Sequence, residues 1–318
     1  MDERSACSAS HRERGPELSS RLTEDHRSGS EDIELRPTAE LVRIMVEDVS
    51  DVASALLSIV PAMVSLIEEV ASRMGRGGRL IYVGAGTSGR LAQLDAAECI
   101  PTFGLSEGTV VAVLAGGIEA ADRADEGAED DQEAARRRLA QLDLHANDTV
   151  IGISASGSTP FVLEAVKVAT ARGTFTAGIT NNPDTPLSRQ VQLAVEAPVG
   201  AEMLAGSTRL KAGTAQKVIL NTLSTVVMMK LGRTYDGYMV GVRSTNKKLI
   251  ERAQGITQEI TGLDAAAALL LLKDSDWNVK AAVLSHFLAV EPLQAHARLA
   301  DAAGNIHSVL GKVRKEPE

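Results

Sequence analysis

The chain has 318 residues, 44% of them hydrophobic, enough for one large domain with an appendage or for two domains. Aromatic residues are only 3% and the formal net charge is −9, which argues against stacking platforms for single strands and against broad binding to a nucleic-acid backbone, while leaving room for one small anionic ligand. Two cysteines (Cys7 and Cys99), scattered histidines and no apolar signal core or membrane-length apolar run point to a cytoplasmic protein with no disulfide framework, no metal site and no membrane contact.

Residues 1–35 are rich in Ser, Arg, Glu and Asp and are expected to form a flexible polar arm, its later part able to order against a partner. A helix is predicted from Thr38, a candidate N-cap after Pro37, with Leu41, Ile44 and Met45 on one face. Val52, Leu56, Ile59, Met63, Leu66 and Val70 continue the helical spacing, and Pro61 should bend or divide the helix. Short apolar runs at 80–83, 110–115, 149–154, 175–179 and 192–197 predict strands buried on both faces. The segments 88–98, 119–143 and 160–172 between them read as helices, so the fold class is α/β, a parallel sheet sandwiched by helices. A long helix is predicted over about 207–231. Beyond residue 246 the strand signals vanish, and 246–261, 264–273, 276–289 and 291–303 read as a small helical domain. The expected division is an arm at 1–35, an α/β domain at 36–240 and a C-terminal helical domain at 241–318.

The stretch 79–104, RLIYVGAGTSGRLAQLDAAECIPTFG, carries the clearest chemistry. An apolar strand enters a glycine-rich turn and a helix follows, so backbone N–H groups can meet an anion at the helix start. Gly84 to Gly89 formally match GxGxxG, but the second strand ends in glycines rather than in the acidic residue that a dinucleotide ribose requires. Gly86, Thr87 and Ser88 suit a phosphate or phosphosugar better; a dinucleotide loop and a plain tight turn remain the alternatives. A second loop, Ser154-Ala155-Ser156-Gly157-Ser158-Thr159, also follows a strand and opens a helix at Pro160, with Thr159 a candidate N-cap. One serine there would merely cap a helix; four hydroxyl residues exceed that need. Two such loops at the carboxyl ends of parallel strands should converge on one crevice.

Two carboxylates complete the picture. Glu98 has small or apolar neighbours, and an apolar site would make it a credible proton donor. Glu129 lies in a strongly charged segment that reads, by charge alone, as a solvated helix face. In the segment opening the long helix, Ser207 is a candidate cap, and Arg209 or Lys211 either faces an anion or is a surface charge.

The stretches RLIYVGAGTSGRLAQLDAAECIPTFG, DEGAED, SASGSTP and GSTRLKAGTAQKVILNTLST together resemble the N-acetylmuramic acid 6-phosphate etherase family, from about residue 22 through the helical C-terminus. The resemblance implies a sugar isomerase (SIS) type sheet, a ubiquitin-associated (UBA)-like C-terminal bundle, and lyase chemistry on a phosphorylated amino sugar, in cell-wall recycling and without a cofactor. It implies that Glu98 is the proton donor and Glu129 the second catalytic glutamate. Gly86, Thr87, Ser88, Ser154, Ser156, Ser158 and Thr159 would hold the phosphate, with Glu202, Ser207 and Lys211 near the substrate. It also implies a homodimer with a composite active site. Many relatives carry arginine where Ser158 stands, so either the grip on phosphate is weaker or another cation substitutes. An aldose–ketose phosphosugar isomerase and a noncatalytic sugar-phosphate sensor are the competing readings on the same fold.

Overall fold

A computed structural model describes residues 21–311 apart from 124 and 243–245, so the first twenty residues of the expected arm lie outside the described residues. The chain enters through α1 (Thr38–Glu47), α2 (Val49–Ser58) and α3 (Val60–Gly75). Pro61 sits in the first turn of α3, where its missing N–H has no helical partner to lose, and the axis turns by 59° there.

Strand–helix alternation follows: β1 (Leu80–Gly84), α4 (Gly86–Phe103), β2 (Val110–Leu114), α5 (Gln132–Gln141), β3 (Thr149–Ile153), α6 (Pro160–Ala171), β4 (Phe175–Thr180), α7 (Pro186–Gln190), β5 (Leu193–Glu196) and α8 (Lys211–Lys230). The five strands pair in parallel in the order β2-β1-β3-β4-β5. Alternation along β1 shows why both faces are covered. Leu80 and Tyr82 join a core with Leu66, Ile151 and Ile219, while Ile81 and Val83 join Val150, Phe161 and Leu187 on the other side. Each such fully buried aliphatic side chain contributes about 1.5–3 kcal/mol. The sheet order reverses direction between β1 and β3, so the loops after these two strands flank one crevice.

A short antiparallel hairpin, β6 (Thr234–Tyr235) and β7 (Tyr238–Met239), leads to α9 (Lys247–Thr261), α10 (Ala265–Asp274), α11 (Val279–Leu288), α12 (Pro292–Asp301) and α13 (Ile306–Leu310). Side-chain caps set several starts: Asn246, Asp264, Asn278 and Asn305 each accept from a backbone N–H in the first turn that follows. These helices share a core that takes in Tyr235 and Val240 as well as Leu272, Val283 and Leu299, so the hairpin packs with the helices. Among the described residues no single helix is long and apolar enough to cross a membrane.

Three local expectations are corrected. The segment 119–143 is not one helix: two 3-10 turns, Ile118–Ala121 and Glu126–Asp130, precede α5. Gly116 and Gly117 adopt left-handed φ of 79° and 71°, and Asp131 then starts α5 by accepting from Ala134 N–H at 2.8 Å. Helix α4 does not stop at a turn before Pro101 but continues to Phe103, ending where Gly104 takes φ 65° and bonds back to Ile100. A proline so near the end removes only one late hydrogen bond. Finally, residues 21–35 pack onto the body: Thr23 and Ile33 are buried in two 3-10 turns, and Arg27 pairs with Asp48.

Candidate functional site

At the carboxyl ends of β1 and β3 lies a cleft of about 420 Å³. Its lining includes Gly86, Thr87 and Ser88 from the first loop, Ser154, Ser156, Ser158 and Thr159 from the second, and Glu129 and Asp130 from the 3-10 turn before α5. The expected convergence of the two hydroxyl-bearing loops is therefore present within one chain.

The first loop is tight because helix and strand touch backbone to backbone. A Cβ on Gly89 would lie 2.3 Å from Leu114 Cδ1 and 2.6 Å from the Gly84 carbonyl oxygen, so only glycine lets α4 start this close to the sheet. Gly86, Thr87 and Ser88, whose first-turn N–H groups have no partner within the helix, line the cleft. The second loop is braced by its own hydroxyls. Ser154 Oγ lies 2.8 Å from Thr159 Oγ1 and accepts from Gly157 N–H at 3.0 Å. Ser156 and Ser158 hydroxyls are 3.0 Å apart. Gly157 has φ 66°, and an added Cβ would strike Thr185 Oγ1 at 2.3 Å. Thr159 precedes α6 as expected, but its hydroxyl is engaged with Ser154 and makes no capping bond.

Glu98 is elsewhere. It lies on α4 roughly three turns beyond Gly86, about 18 Å along the axis. Its side chain is 64% exposed and sits 4.0 Å from Lys217 Nζ of α8. The apolar enclosure expected from its sequence neighbours is not formed within the single chain, because α4 turns Ala96 and Cys99 inward and Glu98 outward. Below it, and missed from sequence, is a buried carboxyl. Asp95 accepts from Tyr82 Oη and from Ser224 Oγ, both at 3.0 Å. Burial pushes Asp95 above the usual carboxylate range against the pull of those hydroxyls and of Lys217. Burial beside Asp95 also pushes the Cys99 thiol up to about 12. The only sequence signal for Asp95 was its spacing, one helical turn before Glu98.

Three further expected residues do not line the cleft. Glu202 is fully buried and accepts from the N–H groups of Lys211 and Ala212, each at 3.0 Å. It therefore performs the capping expected of Ser207, as a carboxylate at the positive end of α8. Ser207 makes no cap bond to α8, which starts at Lys211. Lys211 is 6% exposed and pairs with Asp51 at 3.0 Å, beside a smaller pocket of about 180 Å³ between α1, α2 and α8. The cleft instead includes Arg21, Glu24 and Thr208, which sequence reasoning did not single out. Arg21 and Glu24 arrive there because Thr23 is pinned: its N–H donates to Asn182 Oδ1 at 3.3 Å, Asn182 Nδ2 donates to its hydroxyl at 2.9 Å, and its carbonyl accepts from Gly206 N–H at 3.0 Å.

Residues 62–170 match the glucokinase regulatory protein N-terminal SIS domain family, residues 129–226 the SIS domain family, and residues 258–291 the UBA-like domain family. Over nearly the whole length, the chain is similar to proteins named N-acetylmuramic acid 6-phosphate etherase. That of Clostridium beijerinckii is 42% identical over 93% of this chain and 97% of the relative. That of Rubrobacter xylanophilus is 45% identical over 92% and 97%, and that of Salmonella choleraesuis 41% over 92% and 99%. Among solved structures, a phosphoheptose isomerase from Francisella tularensis superposes with a TM-score of 0.51, covering 61% of this chain and 100% of that one. At 16% identity that likeness is one of fold.

Proposed function

The chain belongs to the N-acetylmuramic acid 6-phosphate etherase family, and from that premise we propose how its own residues carry the reaction. The enzyme is a carbon–oxygen lyase that cleaves the D-lactyl ether of N-acetylmuramic acid 6-phosphate, yielding N-acetylglucosamine 6-phosphate and D-lactate. Identity of 41–45% with such etherases along more than nine-tenths of the chain is the observation that carries this reading.

In the open-chain sugar the C2 proton is acidic because it lies α to the C1 aldehyde. The lactyl oxygen is on C3, β to that carbonyl. Glu129 takes the C2 proton, and Glu98 gives a proton to the departing ether oxygen as the C3–O bond breaks with its electron pair. The resulting unsaturated aldehyde adds water, its oxygen going to C3 and a proton to C2. Gly86, Thr87, Ser88, Ser154, Ser156, Ser158 and Thr159 hold the phosphate and fix the C2–C3 bond over Glu129. This assignment is supported by their common lining of the cleft. Glu202 acts one step back, by holding the start of α8, and Lys211 and Ser207 shape the same helix start.

We further assign the working unit as a homodimer in the cytoplasm, with Glu98 reaching the cleft of the neighbouring subunit. The outward position of Glu98 supports this, as do the exposed apolar side chains of α1–α3, among them Val46 at 66% and Leu57 at 75% exposure. The free, buried Cys99 accords with a reducing compartment.

The deciding experiment is incubation of the purified protein with N-acetylmuramic acid 6-phosphate in heavy-oxygen water. Release of lactate with heavy oxygen at C3 is expected. Interconversion of aldose and ketose phosphates without lactate would turn the reading toward an isomerase, and tight binding without turnover toward a sensor.

A further inference from the structure

The cleft has an electrostatic mismatch with its proposed ligand. A sugar phosphate brings about −1.5 to −2 charges near neutral pH. Among the described residues lining the cleft, Glu24, Glu129 and Asp130 are carboxylates and Arg21 is the one cation. Hydroxyls and helix N-termini offer partial positive charge, but three carboxylates around them oppose a dianion. A cation belongs in such a site, and Arg21 supplies it from the N-terminal segment rather than from either phosphate loop.

The delivery of Arg21 is built into the fold. Thr23 is fully buried and held by both groups of the Asn182 side-chain amide. The same amide nitrogen donates to the Ala155 carbonyl of the serine loop at 2.9 Å. One side chain thus ties the N-terminal segment to the loop proposed to bind phosphate, and Arg21 stands two residues from that tie. A guanidinium offers paired donors to phosphate oxygens, which a hydroxyl cannot match in charge.

We propose that Arg21 is the phosphate-binding cation of this site, positioned by the Thr23–Asn182 tie. The proposal deepens the etherase reading and rests on it. The test measures dissociation constants for N-acetylglucosamine 6-phosphate and for unphosphorylated N-acetylglucosamine, with thermal unfolding as the folding control. The wild type should prefer the phosphorylated sugar. Arg21→Ala should weaken phosphosugar binding about tenfold to a hundredfold while leaving the unphosphorylated sugar unchanged. Arg21→Lys should retain much of the preference. Since Ser158 lines the same cleft, the double variant R21A/S158R should regain affinity by bringing a guanidinium in from the opposite element. A wild type that prefers the phosphate together with an equally selective, folded R21A would overturn the role of Arg21 alone. A wild type that binds both sugars alike would instead sink the phosphosugar reading, and the Arg21 role with it.

Discussion

The two glutamates assigned to proton transfer occupy opposite kinds of surroundings. Glu129 stands on a 3-10 turn that lines a cleft together with the first turn of α4 and the hydroxyls of the serine loop. Glu98 stands on the outer face of a long helix, beside a lysine and above a buried network of Asp95, Tyr82, Ser224 and Cys99. The cleft side is held by hydroxyls bonded to one another within a short loop. The helix side is rigid, because α4 and α8 are clamped through the buried Asp95–Ser224 bond. On the proposed assignment, one chain gathers Glu129 and the residues taken to hold the phosphate in a single cleft, and presents Glu98 outward on α4.

The largest expected effect tests that division directly. Glu98→Gln and Glu129→Gln should each lower kcat for lactate release by about 10²- to 10⁴-fold. Mixed in equal amounts and allowed to exchange subunits, the two inactive variants should recover about a quarter of wild-type activity, since half the dimers are mixed and each has one intact composite site. Mixtures as inactive as the separate variants would place both glutamates in one subunit's site.

Next in size is a change confined to the cleft. Gly157→Ala forces a left-handed residue against Thr185 and should cost about 2–4 kcal/mol in unfolding free energy, together with a raised KM. Chemical denaturation and steady-state kinetics read both. Unchanged KM would separate the serine loop from phosphate binding. On the helix side, Glu202→Gln weakens the capping of α8 and should cost about 1–2 kcal/mol, measured as a shift in denaturation midpoint. The smallest effect concerns pH. Because burial raises the folded-state pKa of Asp95, its contribution to stability is complete below the unfolded carboxylate pKa and declines as pH rises through the folded value. Asp95→Asn should therefore gain on the wild type as pH is raised from the acid range toward neutrality, in melting curves recorded across that interval. A gap that is constant with pH would mean that Asp95 does not titrate there.

How much of this was legible in the sequence follows from which forces are local. The five strands were found within one residue at each end, because each is a short, largely apolar run, most fully so in β1 and β3, which are buried along their whole length. The GAGTSG and SASGST loops were legible because glycine and hydroxyl density after a strand has few other uses. The charged run around Glu129 reads as helix by its charge pattern, although it contains Gly127; the structure makes it a 3-10 turn, and α5 starts only after Asp131. Ser207 was preferred to Glu202 as the cap by proximity, whereas the cap bonds span nine and ten residues of intervening loop. Arg21 and Glu24 left no periodic signal at all. Their place depends on Thr23 meeting Asn182, a contact 159 residues apart in the chain.

One consequence concerns Cys99, one residue past Glu98 yet turned inward against Asp95. With burial pushing its thiol up to about 12, Cys99 stays protonated at neutral pH and offers almost no nucleophilic thiolate. Alkylating agents and peroxides thus meet an almost inert sulfur while α4 and α8 stay together. Its labelling rate becomes a clock for transient parting of that seam, recording openings on the very support that holds Glu98 without any added probe.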